Sequence, residues 1–477
     1  MTTKPLPSRI ENTLFGALVA LSLLAAGCVP QPTRYRAALE GVGEVHLYLQ
    51  PMAQEVHRVT FRLAAISAVR EDGDVVPIPL ALTELRGPEL VGEQKRLASA
   101  PMSPGAYKGL LIAIDKASVR DKHLTSDLLV PEEPLLVERE FTVDRKRAHT
   151  LFLSLDAERL VSGGYEFTPE FSLAEPRRQL RTLQGFASNS RENVISVFNK
   201  HTMEVVDTIA TSSGPKGAAI DERRGWVYIA LAGDDAIEAI EVNTGEILQR
   251  LQMNFGDEPV EIALSPDREF LVSANYGSNS ASIIDASSLR EIGRVSLPSE
   301  PTDVAANTVS QRAYLLQPLS NSVSAIDLQR RQITATLTLD ETPVRGAVSG
   351  DGDSLYVITR FSSDLLVINA SNLALTGRIY VGAGASSVTV DPNTELIYVG
   401  KKTGEISVVD PELLMPIDRF KANGNVGNLA IDANENSLFV VLPDRETIQK
   451  LDLVTKRLKG VIEVQEGSHD VVMMGAR

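Results

Sequence analysis

Seven positions hold the groups most able to act together: Gly217, Glu261, Asp303, Arg345, Ser387, Asn428 and Asp470, spaced 44, 42, 42, 42, 41 and 42 residues apart. His469 sits beside the last of them. Three carboxylates, a guanidinium and an imidazole brought into one small polar ring could bind a cation, a sugar or a peptide terminus, and carboxylates crowded this way have shifted pKa values. A carboxylate or histidine poised near neutrality is also what general-base attack on a lactone requires. Glu261, Asp303, Arg345, Asn428, His469 and Asp470 are the candidate ligand-binding residues. No residue is assigned a catalytic or metal-binding role.

The spacing implies a repeat, and a second landmark confirms it. A short apolar strand ending in Asp, Glu or Asn recurs at Val197-Phe198-Asn199, Ala239-Ile240-Glu241, Ile283-Ile284-Asp285, Ala325-Ile326-Asp327, Val367-Ile368-Asn369, Val408-Val409-Asp410 and Lys450-Leu451-Asp452. Two residues before each ring position stands Pro215, Pro259, Pro301 or Pro343, then Ala385, Val426 and Ser468 in the later copies. Four short strands fit in each period, the mark of a propeller blade. The segment from Gln184 matches a second strand with no first strand before it, and Val471 to Met474 supplies an innermost strand with nothing after it. Pairing the two closes a ring of seven blades and removes two free sheet edges.

Ile397-Tyr398-Val399-Gly400, Leu271-Val272-Ser273-Ala274-Asn275 and Asn321-Ser322-Val323-Ser324-Ala325-Ile326-Asp327 resemble the YVTN family of seven-bladed propellers. The resemblance covers about residues 183 to 477 and implies the fold. Relatives of this kind include bacterial envelope and surface-layer proteins, and the wider group includes lactonases, so function does not follow from fold.

The 477-residue chain has one cysteine, which excludes disulfide frameworks, cysteine zinc sites, iron–sulfur clusters and covalent haem attachment. A nucleophile or a lipid anchor remains for that thiol. The net charge of -15 argues against nucleic acid as partner. There is no GxSxG elbow, P-loop or HExxH. Gly382-Ala383-Gly384 falls where an inter-blade turn is due, and Asp351-Gly352-Asp353 where a plain strand-to-strand turn is due. His46, His57, His123 and His149 lie in the front part, and His201 falls in a turn between outer strands. Tyr276, Arg360, Phe361, Lys401, Lys402 and Arg445 are expected on loops around the ring's mouth.

Lys4 and Arg9 precede an apolar run from Leu14 to Leu24, with Ala25, Ala26, Gly27 and Cys28 after it, a secretory signal arrangement. The run is too short to span a bilayer about 30 Å thick. Leu24-Ala25-Ala26-Gly27-Cys28 resembles the lipobox of bacterial lipoproteins, with Ala25 where leucine is commonest. The resemblance implies cleavage before a lipidated Cys28, and Val29 after it resembles lipoproteins sorted to the outer membrane. Residues 1–27 are then signal peptide and 28–34 a tether.

Period-two segments follow at Val45, Leu47 and Leu49, at Val59, Phe61 and Leu63, and at Leu110, Ile112 and Ile114, which predict a small antiparallel β-sandwich over 35–175. Pro104-Gly105-Ala106-Tyr107-Lys108-Gly109-Leu110 and Leu153-Ser154-Leu155-Asp156-Ala157 resemble bacterial lipoprotein sandwich domains of a transthyretin-like or carbohydrate-binding-like fold. Residues 176–182, with Arg177, Arg178 and Arg181, read as the linker to the propeller at 183–477. The whole is expected to be all-β. The expected function is that of a lipid-anchored cell-envelope protein, more consistent with binding than catalysis, whose propeller binds or scaffolds a protein or glycan of the envelope. The alternative is a lactonase-like hydrolase with its site at the channel mouth. The expected location is the outer membrane, with the body facing the periplasm or the cell surface; no cofactor and no nucleic acid are called for.

Overall fold

A computed structural model describes residues 35–121, 124–157, 159–177 and 180–475. The signal peptide, Cys28 and the tether lie outside the described residues, as do His123 and Arg178. Among the described residues no helix is long and apolar enough to cross a membrane.

The front part is two sheets face to face. One orders its strands Phe171–Ala174, Ala148–Leu155, Gly43–Leu49 and Lys95–Met102. The other is built on the long pair Val59–Arg70 and Gly105–Asp121, flanked by Val75–Ile78, Glu84–Arg86, Leu124–Leu128 and Leu135–Val143. The alternation read from the sequence sets which side chains point inward: Val45, Leu47, Leu49, Val59, Phe61, Leu63, Leu110, Ile112 and Ile114 all join one core. Strand pairing is antiparallel except that Glu44–Leu49 runs parallel to Ala148–Leu153.

From Gln184 onward the described residues form seven four-stranded antiparallel sheets, so the chain carries a β-propeller. Blade 1 comprises Gln184–Asn189, Val194–Asn199 and Glu204–Ala210, and its innermost strand is Ser468–Met473 from the far end of the sequence. Blades 2 to 7 begin with the innermost strands Pro215–Asp221, Pro259–Leu264, Asp303–Ala306, Pro343–Val348, Ala385–Val390 and Asn428–Asp432. Each innermost strand abuts the next around the ring, and Ser468–Met473 touches both Pro215–Asp221 and Asn428–Asp432.

The recurring acidic or amide strand ending has a local cause. The Oδ1 atoms of Asn199, Asp285, Asp327, Asn369, Asp410 and Asp452 each accept a backbone N–H two or three residues on, and Glu241 Oε2 does the same from Thr244 N. These side chains close the turn into the outermost strand, where they stand in for a backbone carbonyl. The Asp351 turn is likewise plain: its Oδ1 accepts from Asp353 N and Ser349 Oγ.

Sandwich and propeller belong to one compact unit. The last sandwich strand ends at Ala174, a short 3-10 turn spans Arg181–Leu183, and the first propeller strand starts at Gln184. Their seam runs along blades 7 and 1. Gln94 exchanges two hydrogen bonds with the backbone of Val205, at 2.9 and 2.8 Å. Arg96 reaches Glu446 and Gln465, each at 2.5 Å. Tyr48 is fully buried among Ala187, Phe198, Val205 and Val464, and its hydroxyl accepts from Gln465 Nε2 at 2.9 Å.

Candidate functional site at the propeller mouth

Every ring position sits at the start of an innermost strand, and the backbone turns it toward the axis. In blades 2, 3, 5 and 6 the pairing register slips between the landmark residue and the ring position: Pro215/Ala218, Pro259/Glu261, Pro343/Arg345 and Ala385/Ser387. A slip of this kind bends the strand and re-aims the next side chain. Proline is tolerated at the strand's first residue because its missing N–H breaks no ladder bond there.

The candidates meet as the spacing predicts. Arg345 Nη2 lies 2.8 Å from Glu261 Oε1, and Arg345 Nη1 lies 3.6 Å from Asp303 Oδ1. His469 Nε2 lies 2.8 Å from the same Glu261 oxygen. Asn428 Nδ2 donates to Asp470 Oδ1 at 2.5 Å, and Ser387 Oγ donates to Asn428 Oδ1 at 3.3 Å. Glu261, Asp303, Asn428 and Ser387 are buried, whereas the Arg345 and His469 side chains keep 19% and 30% exposure.

Both ring aspartates also tie blades together. Asp303 Oδ2 accepts from Gly346 N of blade 5 at 2.8 Å, and Asp470 Oδ2 accepts from Ala218 N of blade 2 at 2.9 Å. Gly217 marks the tightest approach: a methyl group there would come within 2.5 Å of Glu261 Oε2 and 2.6 Å of its Cα.

The electrostatics separate the three carboxylates. Burial pushes Glu261 up, but the charges of Arg345 and His469 outweigh it and bring the carboxyl to about 2. An acid so firmly ionised is a poor general base at neutral pH. Burial, reinforced by the Glu261 charge and opposed by Arg345, raises Asp303 and Asp470 to about 6. Burial works against the Arg345 cation, yet the surrounding carboxylates keep it protonated. The mouth therefore offers two partly exposed donors, Arg345 and His469, above an ionised Glu261 and two aspartates whose charge changes near neutral pH. That layering suits acceptor oxygens of a sugar or of a peptide terminus. Among the described residues no group of three His, Cys, Asp or Glu is arranged for a metal.

Other expected residues divide. Tyr276, Arg360, Phe361, Lys402 and Arg445 lie on loops of the mouth face, with Phe361 89% exposed. Lys401 departs from expectation: it ends the strand Ile397–Lys401, is buried, and pairs with Glu405 at 2.5 Å. An ion pair four residues on gave no signal in the repeat. His201 is exposed in its turn, as expected. His46 and His149 lie at the seam, away from the mouth; the sequence offered no pattern for them because their partners are distant in the chain.

Residues 181–395 match the YNCE-like beta-propeller family. The protein YncE of Salmonella typhi is 18% identical over 265 residues, covering 52% of this chain and 74% of that protein. YncE of Salmonella typhimurium strain LT2 gives the same figures. Among solved structures, a functionally unknown protein from Desulfotomaculum acetoxidans superposes with a TM-score of 0.56 at 13% identity, over 61% of this chain and 98% of that one. At such identity the likeness shows fold alone. The family match, both relatives and the solved structure agree on a β-propeller fold for this part of the chain.

Proposed function

We propose that this is a lipid-anchored envelope protein whose propeller binds a protein or glycan component at the channel mouth. The observation that carries the reading is the convergence of Arg345 and His469, partly exposed, over the buried Glu261 and Asp303 and the half-buried Asp470. The leader ending at Cys28 supports an anchor, with the body on the outer membrane and facing the periplasm or the cell surface. An acidic body is repelled by anionic lipid, so attachment rests on acyl chains rather than on charge.

Cys28→Ala should move the protein from the membrane fraction to the soluble one. Mild crosslinking in membranes should recover specific partners, and His469→Gln should reduce their recovery without unfolding the protein. Unchanged recovery from that variant would refute the mouth as the contact site.

One contact favours a second reading. The 2.8 Å approach of His469 to ionised Glu261 orients the imidazole as a carboxylate orients a histidine base. A lactonase-like hydrolase would then use His469 as base and Arg345 to steady developing negative charge. Turnover of a panel of lactones, lost in His469→Gln, supports it; no turnover by the wild type sinks it.

A further inference from the structure

Three cavities adjoin around the edge of the sandwich and its junction with blades 1 and 2. One of about 440 Å³ is lined by Lys146, Arg147 and His149 on the sandwich side and by Asp207, Thr244 and Glu246 on the propeller side. A second, of about 560 Å³, shares Arg147 and His149; a third, of about 300 Å³, shares Asp207. Together they form one polar groove.

Its sandwich side carries Lys146, Arg147 and His149 with the carboxylates Asp144 and Glu175 also lining it, and its propeller side carries Asp207 and Glu246. Arg145-Lys146-Arg147 is the one run of three successive cationic residues in an acidic sequence, at the turn that leads from one sandwich sheet into Ala148–Leu155 of the other. The turn is pinned: Lys146 N donates to Val42 O and Glu44 N donates to Arg147 O, both at 2.9 Å. Lys146 holds a left-handed φ of 60°, which a non-glycine residue keeps only where its surroundings fix it. His149 Nε2 accepts from Asp144 N at 2.8 Å, which leaves the proton on the other ring nitrogen as a free donor.

Asp207 occupies the opposite side, on the outermost strand of blade 1. Its carboxylate accepts from Thr208 N at 2.8 Å and forms no ion pair with any described residue. Burial raises its pKa against the bond from Thr208 N. A half-buried carboxylate without a cation is expensive, and a ligand that brings one relieves the cost.

We propose that this groove binds a short zwitterionic molecule of the amino-acid or oligopeptide class, its anionic end on Arg147, Lys146 and His149 and its ammonium end on Asp207. The inference is independent of the mouth. Charged groups fixed on rigid strand ends lose little freedom on binding, which favours recognition of both ends of one small molecule.

Calorimetric titration of the purified chain with triglycine, N-acetyl-triglycine and triglycinamide tests it. Triglycine should bind, and blocking either end should weaken it about tenfold or more. Asp207→Asn should weaken triglycine to the level of its N-acetyl form and leave that form unaffected; Arg147→Gln should do the same for the amide. Equal binding of the three peptides, or no heat from triglycine up to about 10 mM, would overturn the proposal. If a variant fails to fold, the ranking of the three peptides on the wild type decides alone.

Discussion

The mouth and the seam each set a histidine beside a buried glutamate, with opposite outcomes. At the mouth His469 and Glu261 are 2.8 Å apart and Arg345 touches the same carboxylate. At the seam His46 Nε2 stands 3.8 Å from Glu44 Oε2, and Arg36 bonds the other Glu44 oxygen at 3.0 Å. Burial, with the nearby charges of Arg96 and Arg36, brings His46 down to about 3, and burial lifts Glu44 despite Arg36. Glu261 instead falls to about 2. A buried carboxylate is held ionised where a cation and a histidine both donate to it; where the histidine is fully enclosed and faces two arginines, it stays neutral.

The largest effect that could break this contrast is Arg345→Met, which leaves Glu261 and Asp303 without their cation. Because Arg345 keeps some solvent contact, a loss of about 3 kcal/mol at pH 7 is expected by chemical denaturation, at the low end for a broken buried pair. The loss should shrink at pH 5, where Asp303 and Asp470 take up protons. Gly217→Ala comes next, at about 2 kcal/mol, because the methyl meets the backbone of blade 3 as well as a movable side chain. At the seam, Arg96→Ala removes bonds to Glu446 and Gln465 and should cost about 1.5 kcal/mol. A seam loss larger than the mouth loss would invert the comparison.

The smallest effect is the net pH dependence of the wild type between pH 7 and 5, because the regions pull in opposite directions. Asp303 and Asp470 have folded pKa values near 6 against about 3.9 unfolded, so their contribution is lost as pH rises through 6 and returns on acidification. His46 falls from about 6.5 unfolded to about 3 folded, so acidification below 6.5 destabilises the seam. Glu44, raised by burial, offsets part of that loss. His46→Gln should make thermal stability rise from pH 7 to 5, and Asp303→Asn should make it fall. If neither variant changes the slope, the two clusters do not titrate as the geometry implies.

The mouth was legible in the sequence because the repeat carries it. A fixed register places the same position of each blade at the axis, so Glu261 could be matched with Arg345, 84 residues away. The terminal Asp or Asn of the third strands was legible for the same reason, although its turn-closing role emerged only with the hydrogen bonds. The seam has no such key. Tyr48 and His46 meet Gln465 across more than 400 residues with no period linking them, and the bends after Pro215, Pro259 and Pro343 leave no trace beyond the proline. Lys401 shows the limit within the repeat: blade register predicts where a position lies, but an ion pair with Glu405 decides whether its side chain faces solvent.

The strand Ser468–Met473 closes the ring and also carries His469 and Asp470. A partly folded chain, with blades 2 to 7 formed but this strand undocked, would present Glu261 and Arg345 without the histidine opposite them and leave Ala218 N without Asp470. The recognition proposed for the mouth is thereby made conditional on the most sequence-distant pairing in the propeller, a slow step by its contact order. Binding competence would then report completed folding, and an immature or proteolytically opened molecule would be silent toward the partner rather than a weaker competitor for it.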